Sequence, residues 1–219
     1  MSRLEAIGWF EGLSQAALDR ITSSGSFRTF HEKEIIFLQG DALTHYFFVV
    51  SGLVQAFHQN KAGKKWIVSL FSQGDLFPHA GLADSATVYP ASADALASGM
   101  LFAIKKEAMY TLMDRYPVIH QHLTRFLAMK SQELINRYSD SVLEPARVQL
   151  ISLLKRLAQQ SGVHVSDGWV LIPSLMAEQD MAGYIGVAPE TISRLMSRLY
   201  RERLAKSAGR GKIYIRIEE

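Results

Sequence analysis

A chain of 219 residues that is 48% hydrophobic and 21% charged carries enough apolar material for packed cores and lies outside the disordered range. With no cysteine, disulfides, iron–sulfur clusters held by thiolates and cysteine-containing zinc sites are excluded. The formal charge is only +3, yet eight basic residues face one acid between Thr191 and Ile217, so the basicity is gathered at the C-terminal end.

The N-terminus lacks a basic region followed by a long apolar core, and no run approaches ~18 apolar residues. Neither a signal peptide nor a membrane span is expected, and a cytoplasmic protein with no membrane partner is the reading. In chain order, Ser14 is a plausible N-cap for a short helix through Leu18 and Ile21 that ends near residues 23–25. The pattern then becomes that of strands: FRTF, EIIFL, HYFFVV, LVQAFHQN, KWIVSLF and LFAI are rich in β-branched and aromatic residues, cut by Gly40, Gly52, Gly63 and Gly74. Such spacing predicts an antiparallel β-roll, a double-stranded β-helix or jelly roll, over residues 26–104.

Pro117 suits the first turn of a long helix. Ile119, Leu123, Leu127, Leu134 and Tyr138 form its stripe, with Lys130 the polar interruption. Val118, His122, Phe126 and Met129 make a second apolar face, so one face can cover the roll and the other can meet a partner helix, although periodicity alone also allows both to be intrachain core. Ile119, Leu123, Leu127, Lys130 and Leu134 are the candidate dimer contacts. A break at residues 139–141 then precedes another helix carrying Leu150, Leu153, Leu154 and Leu157. The expected organisation is α+β, with a sensor domain over 1–116, a dimerisation helix and hinge over 117–140 and a winged helix-turn-helix over 141–219.

The segment from Ser174 to Ala205 divides into a short helix, a turn at Gly186 and a longer helix opened by Pro189. Ile192, Leu195, Met196 and Leu199 make the buried stripe of that second helix. Glu190, Thr191, Ser193, Arg194, Arg198 and Arg201 are left outward, with side chains able to bond base edges or phosphates of double-stranded DNA. SAGRGKIYIRI follows as a β-hairpin wing whose tip places Arg210 and Lys212 near phosphates. Gln179 and Pro189 complete the candidate DNA contacts. DNA readers of this kind usually bind two half-sites with two subunits, which favours a homodimer.

FLQGD at Phe37–Asp41, VVSGLV at Val49–Val54, FSQGDLF at Phe71–Phe77 and the helix-turn-helix together resemble the CRP/FNR family of bacterial transcription regulators over nearly the whole chain. PETISRLM at Pro189–Met196 is similar to the FNR branch, where E-x-x-S-R reads a TTGA-type half-site. The resemblance implies that Glu190, Ser193 and Arg194 read an inverted repeat like TTGAT and ATCAA, and that RNA polymerase is a partner if the protein activates.

Members of the family that bind cyclic AMP carry Gly-Glu and Arg-Ser pairs around a phosphate turn; Pro78-His79 and Tyr89-Pro90 stand there instead, which disfavours a cyclic nucleotide. Phe77, Pro78, His79, Leu82 and Tyr89, capped by Phe126 and Met129, are the candidate lining of a pocket for an unidentified small molecule. His79 lies near the haem ligand of the carbon-monoxide-sensing branch, which makes a haem-dependent gas sensor an alternative. A metal-dependent jelly-roll enzyme of the cupin type is a further alternative. It would need converging His residues and a carboxylate, and the seven His residues are scattered, so no catalytic or metal site is assigned.

Overall fold

The computed structural model describes residues 4, 7–82, 87–166, 168–173, 176–209 and 211–216. The chain forms two compact units, Met1–Ala56 with Ser69–Glu133, and Phe57–Val68 with Leu134–Glu219.

In the first unit Ser14 does cap a helix, α1 (Gln15–Ser23), its hydroxyl accepting from the Ala17 amide at 3.4 Å. The roll comprises β1 (Gly25–Phe30), β2 (Ile35–Phe37), β3 (His45–Gln59), β4 (Lys65–Phe71), β5 (Leu76–Phe77) and β6 (Ser92–Lys105). Their order is β1-β6-β3-β4, with β2 paired to β6 and β5 to β3. Gly40, Gly63 and Gly74 occupy left-handed turns as expected.

Gly52 does not cut the sheet. HYFFVV and LVQAFHQN form one strand, and Gly52, at φ +91°, sits inside β3 against β6. A Cβ there would lie 2.8 Å from the Ser98 carbonyl oxygen and 2.9 Å from the Gly99 Cα, so the glycine permits a close crossing of two backbones.

Two elements of this unit were not expected. The first half of β6 reads SADALASGM, small residues whose strand character comes from pairing with β1 and β2. Behind it α2 (Lys106–Arg115) begins at Lys105 with no side-chain cap, so no local start signal marks it.

The long helix α3 (Pro117–Leu143) buries Ile119, Leu123 and Phe126 in the core that also holds Phe10, Ile21, Tyr46, Phe48 and Phe102. Each such burial stabilises by ~1.5–3 kcal/mol. Two expectations are corrected here. Ile119 at 0% and Leu123 at 8% exposure face their own core and are unavailable to a partner. No break occurs at residues 139–141 either, because the Ser141 hydroxyl donates to the Tyr138 carbonyl at 2.7 Å and stays satisfied within the helix. The helix stops before Pro145, which lacks an amide and disfavours helix in the residue before it.

In the second unit α4 (Ala146–Ser161) leads to β7 (Val163–Ser166) and β8 (Trp169–Ile172), a hairpin that periodicity did not reveal. Next come α5 (Glu178–Ile185), α6 (Pro189–Arg201), β9 (Ala205–Gly209) and β10 (Lys212–Arg216), with a four-stranded sheet in the order β7-β8-β10-β9. Leu150, Leu153, Leu154 and Leu157 of α4 are buried, as are Val170, Ile172, Met181, Ile192, Met196, Leu199, Ile213 and Ile215. The architecture is α+β: an antiparallel roll, a long helix and a winged helix-turn-helix.

Candidate nucleic-acid interface

Two short helices and a tight turn build the reading surface. α5 ends at Gly186 in the left-handed conformation, φ +89° and ψ 22°, which lets the chain reverse within three residues. Pro189 then opens α6, where its missing amide costs nothing. Ile192, Met196 and Leu199 are buried, with Leu195 half-buried, so the opposite face of α6 is fixed toward solvent.

Pro189, Glu190, Ser193, Arg194, Arg198 and Arg201 lie on that exposed face, and Thr191 is half-buried at its edge. Gln179 is exposed in the first turn of α5 and Lys212 at the start of β10; Arg210 lies outside the described residues. The Arg194 guanidinium donates to the Thr191 hydroxyl at 3.4 Å, a long and therefore weak bond on an exposed side chain. Gly209 and Gly211, at φ +74° and +71°, shape the hairpin between β9 and β10.

Arg198 is less free than its sequence pattern implied. Its Nε donates to Glu202 at 2.7 Å, and Arg147 of α4 donates to the other carboxylate oxygen. The two hydrogen bonds, from Arg198 first and then Arg147, hold the Glu202 carboxyl below the usual range. Lys206 places its ammonium 3.9 Å over the Trp169 ring.

A second cluster in this unit was missed altogether. Arg137 of α3 donates to the carbonyls of Val68 and Ile67 at 2.6 and 2.9 Å, donates to that of Tyr184 in α5 at 3.4 Å, and lies 4.0 Å over the Tyr184 ring. The hairpin of residues 57–68 thus packs on α5, where a Cβ on Gly183 would stand 2.5 Å from the Lys65 carbonyl oxygen. These three acceptors are backbone carbonyls, which no sequence motif announces.

In the first unit the expected pocket lining is only partly assembled. Phe77 is fully buried, stacks on Phe71 at 5.0 Å and Phe47 at 5.4 Å between ring centres, and meets Phe37 at a tilt at 5.9 Å; Tyr89 stacks on Phe37 at 3.9 Å. Pro78 is buried and Leu82 half-buried. His79 meets Phe71 and Phe126 edge-on. Met129, 62% exposed, is not buried with this lining although it stands only one turn along α3 from the buried Phe126.

Lys130 is the polar centre of this region and not a dimer contact. Its side chain is 9% exposed, and its ammonium reaches the Leu70 carbonyl at 3.1 Å, Asp75 at 3.3 Å and Glu133 at 3.5 Å. It also lies over the Phe71 and Phe126 rings. Burial first, and the Lys130 charge second, lower the His79 pKa to about 4, so the ring is neutral at pH 7.

Residues 27–116 match the cyclic nucleotide-binding domain and residues 148–219 the Crp-like helix-turn-helix domain. A roll of that type followed by a DNA-binding module defines the class: transcription regulators, not enzymes. More particularly, the chain belongs to the CRP/FNR family. It is 27% identical over 208 residues to the cyclic AMP receptor protein of Thermus thermophilus, covering 94% of this chain and 91% of that one. To the transcriptional activator protein anr of Pseudomonas aeruginosa it is 25% identical over 197 residues, 89% and 78% of the two chains. The structure of FixK2 from Bradyrhizobium japonicum shares the fold with a TM-score of 0.73 at 19% identity, over 88% of this chain and 93% of that one. Membership in this family displaces the cupin-type enzyme alternative. Among the described residues no group of three or more His, Asp or Glu is placed to hold a metal, and no helix is long and apolar enough to cross a membrane.

Proposed function

We propose that this protein is a cytoplasmic, homodimeric regulator that reads an inverted repeat like TTGAT and ATCAA through Glu190, Ser193 and Arg194, under the control of an unidentified small molecule sensed in the roll. The observation that carries it is the joint exposure of those three side chains on α6, above a fully occupied buried stripe. Glu accepts from cytosine N4, Arg bonds guanine O6 and N7, and Ser serves base or phosphate. RNA polymerase is a partner if the bound protein activates. The test is a titration of labelled duplexes: Arg194→Ala should lose ~1–3 kcal/mol on the repeat and relax preference at one G·C pair. Equal affinity of the variant and the parent for the repeat refutes the assignment.

The dimer seam falls on α3, on a stripe shifted from the one periodicity suggested. Leu127, Leu134, Ile135, Tyr138 and Val142 are 39%, 55%, 57%, 72% and 64% exposed and lie along one side of the helix. A second copy of α3 is their occupant, because two subunits match two half-sites about one helical turn apart.

A cyclic nucleotide is not the effector we favour. Lys130 is the buried cation beside His79, and its ammonium is already hydrogen-bonded to the Leu70 carbonyl and Asp75 and ion-paired with Glu133, so its charge is compensated without a phosphate. A haem-dependent gas sensor is the second reading. It rests on His79, a neutral imidazole whose Nδ1 is shielded from solvent without a hydrogen bond of good geometry. A Soret band after haem addition that His79→Ala abolishes would favour it; no band would remove it.

A further inference from the structure

The outward face of α6 has two edges. Arg194, Arg198 and Arg201 follow at spacings of four and three along one; Ser193, Ser197 and Tyr200 follow at the same spacings along the other. The hydroxyl edge borders a groove of about 290 Å³ that no motif in the sequence marked. Ala177 and Glu178 at the start of α5 form the facing wall, Gly211 of the wing closes one end, and the buried thioethers of Met176, Met181 and Met196 make the floor. Lys212 stands exposed beside Gly211.

Building on the reading of α6 as the DNA-recognition helix, we propose that this groove seats the sugar–phosphate backbone of one DNA strand, with Ser197 and Tyr200 donating to phosphate oxygens and Glu178 limiting affinity. A helix lying in a major groove has a strand on each side of it, so both edges of α6 face backbone. One edge is cationic; the other offers neutral hydroxyls next to a cationic wing. Apolar thioethers below suit a deoxyribose, and hydroxyls at the rim suit its phosphate. Tyr200 is 39% exposed, and burial of its ring followed by the Glu178 charge raises its pKa above the usual value, so it stays a donor. Among the described residues Glu178 is the one acid lining the groove. It repels a seated phosphate, which lowers affinity on every sequence alike.

The test uses the full chain and two labelled duplexes, one carrying the TTGAT–ATCAA repeat and one scrambled, titrated by anisotropy over a range of salt. Ser197→Ala and Tyr200→Phe should each weaken binding about three- to tenfold on both duplexes. The salt slope should not change, because a neutral donor displaces no counterion. Glu178→Gln should tighten both about three- to tenfold and steepen the slope by about one. Unchanged affinity in all three variants, with Arg194→Ala still weakening the repeat, overturns the groove proposal and leaves the DNA reading intact. Loss confined to the repeat overturns it as well, since that is a base contact. Variants that bind like the parent yet fail to support transcription with purified polymerase would give the groove to a protein partner instead. Failure of the parent to bind either duplex removes both readings.

Discussion

Replacing Lys130 tests the polar centre of the first unit. Its ammonium compensates two carboxylates and one carbonyl in a recess where Asp75 is 13% and Glu133 18% exposed. Removing one partner of a buried ion pair typically costs ~3–5 kcal/mol, because the remaining charge is left desolvated and unpaired. Asp75 retains the Ser72 amide at 2.8 Å, which places the expected loss near the lower end, about 3 kcal/mol. Lys130→Met keeps the stem over Phe71 and Phe126 and isolates the charge effect. With a urea dependence of about 2 kcal/mol/M, the midpoint should fall by about 1.5 M, followed by far-ultraviolet dichroism and by tryptophan fluorescence. Adding Asp75→Asn should recover about half, since the orphaned carboxylate is then neutral. A loss below about 1 kcal/mol, or no recovery in the double variant, would refute a charge-compensating role.

The depressed His79 pKa favours the proton-poor folded state: its contribution is full above the unfolded value of about 6.5 and is lost as pH falls toward 4. Up to about 3 kcal/mol should disappear over that window, and His79→Gln should flatten this part of the stability profile; an unchanged profile would contradict the assignment. Gly52→Ala should cost more than about 2 kcal/mol, for both its φ and its collision with β6, and an unaltered thermal midpoint would show that the crossing relaxes freely. Leu134→Asp with Tyr138→Asp should give monomers in sedimentation and weaker binding to the repeat; dimers of normal affinity would move the seam elsewhere.

The reading helix was legible because its signals are local. Gly186, Pro189 and an apolar residue every three or four positions act within one turn of each other, so the exposed face carrying Glu190, Ser193 and Arg194 follows from the chain itself. The α3 stripe shows the opposite limit. Periodicity finds apolar residues but not what covers them, so Ile119 and Leu127 looked equivalent although the first is core and the second half-exposed. Lys130 misled for a related reason, since its counter-charge Asp75 lies 55 positions away. Gly52 has the composition of a turn and the place of a crossing, a distinction made by β6 and absent from the neighbours of Gly52 in sequence.

The hairpin of residues 57–68 has a consequence for how this protein can be cut and made. It belongs to the same compact unit as the helix-turn-helix, tied to α5 by Arg137 and fitted against Gly183. A ribosome that has released residues 57–68 must extend the chain by more than a hundred positions before Tyr184 emerges to receive them. A C-terminal fragment beginning at residue 141 would lack both the hairpin and Arg137, baring the Gly183–Tyr184 surface to water. Such a fragment should be prone to aggregation, and isolating the DNA reader in soluble form calls for covering that face, not merely for choosing a boundary between helices.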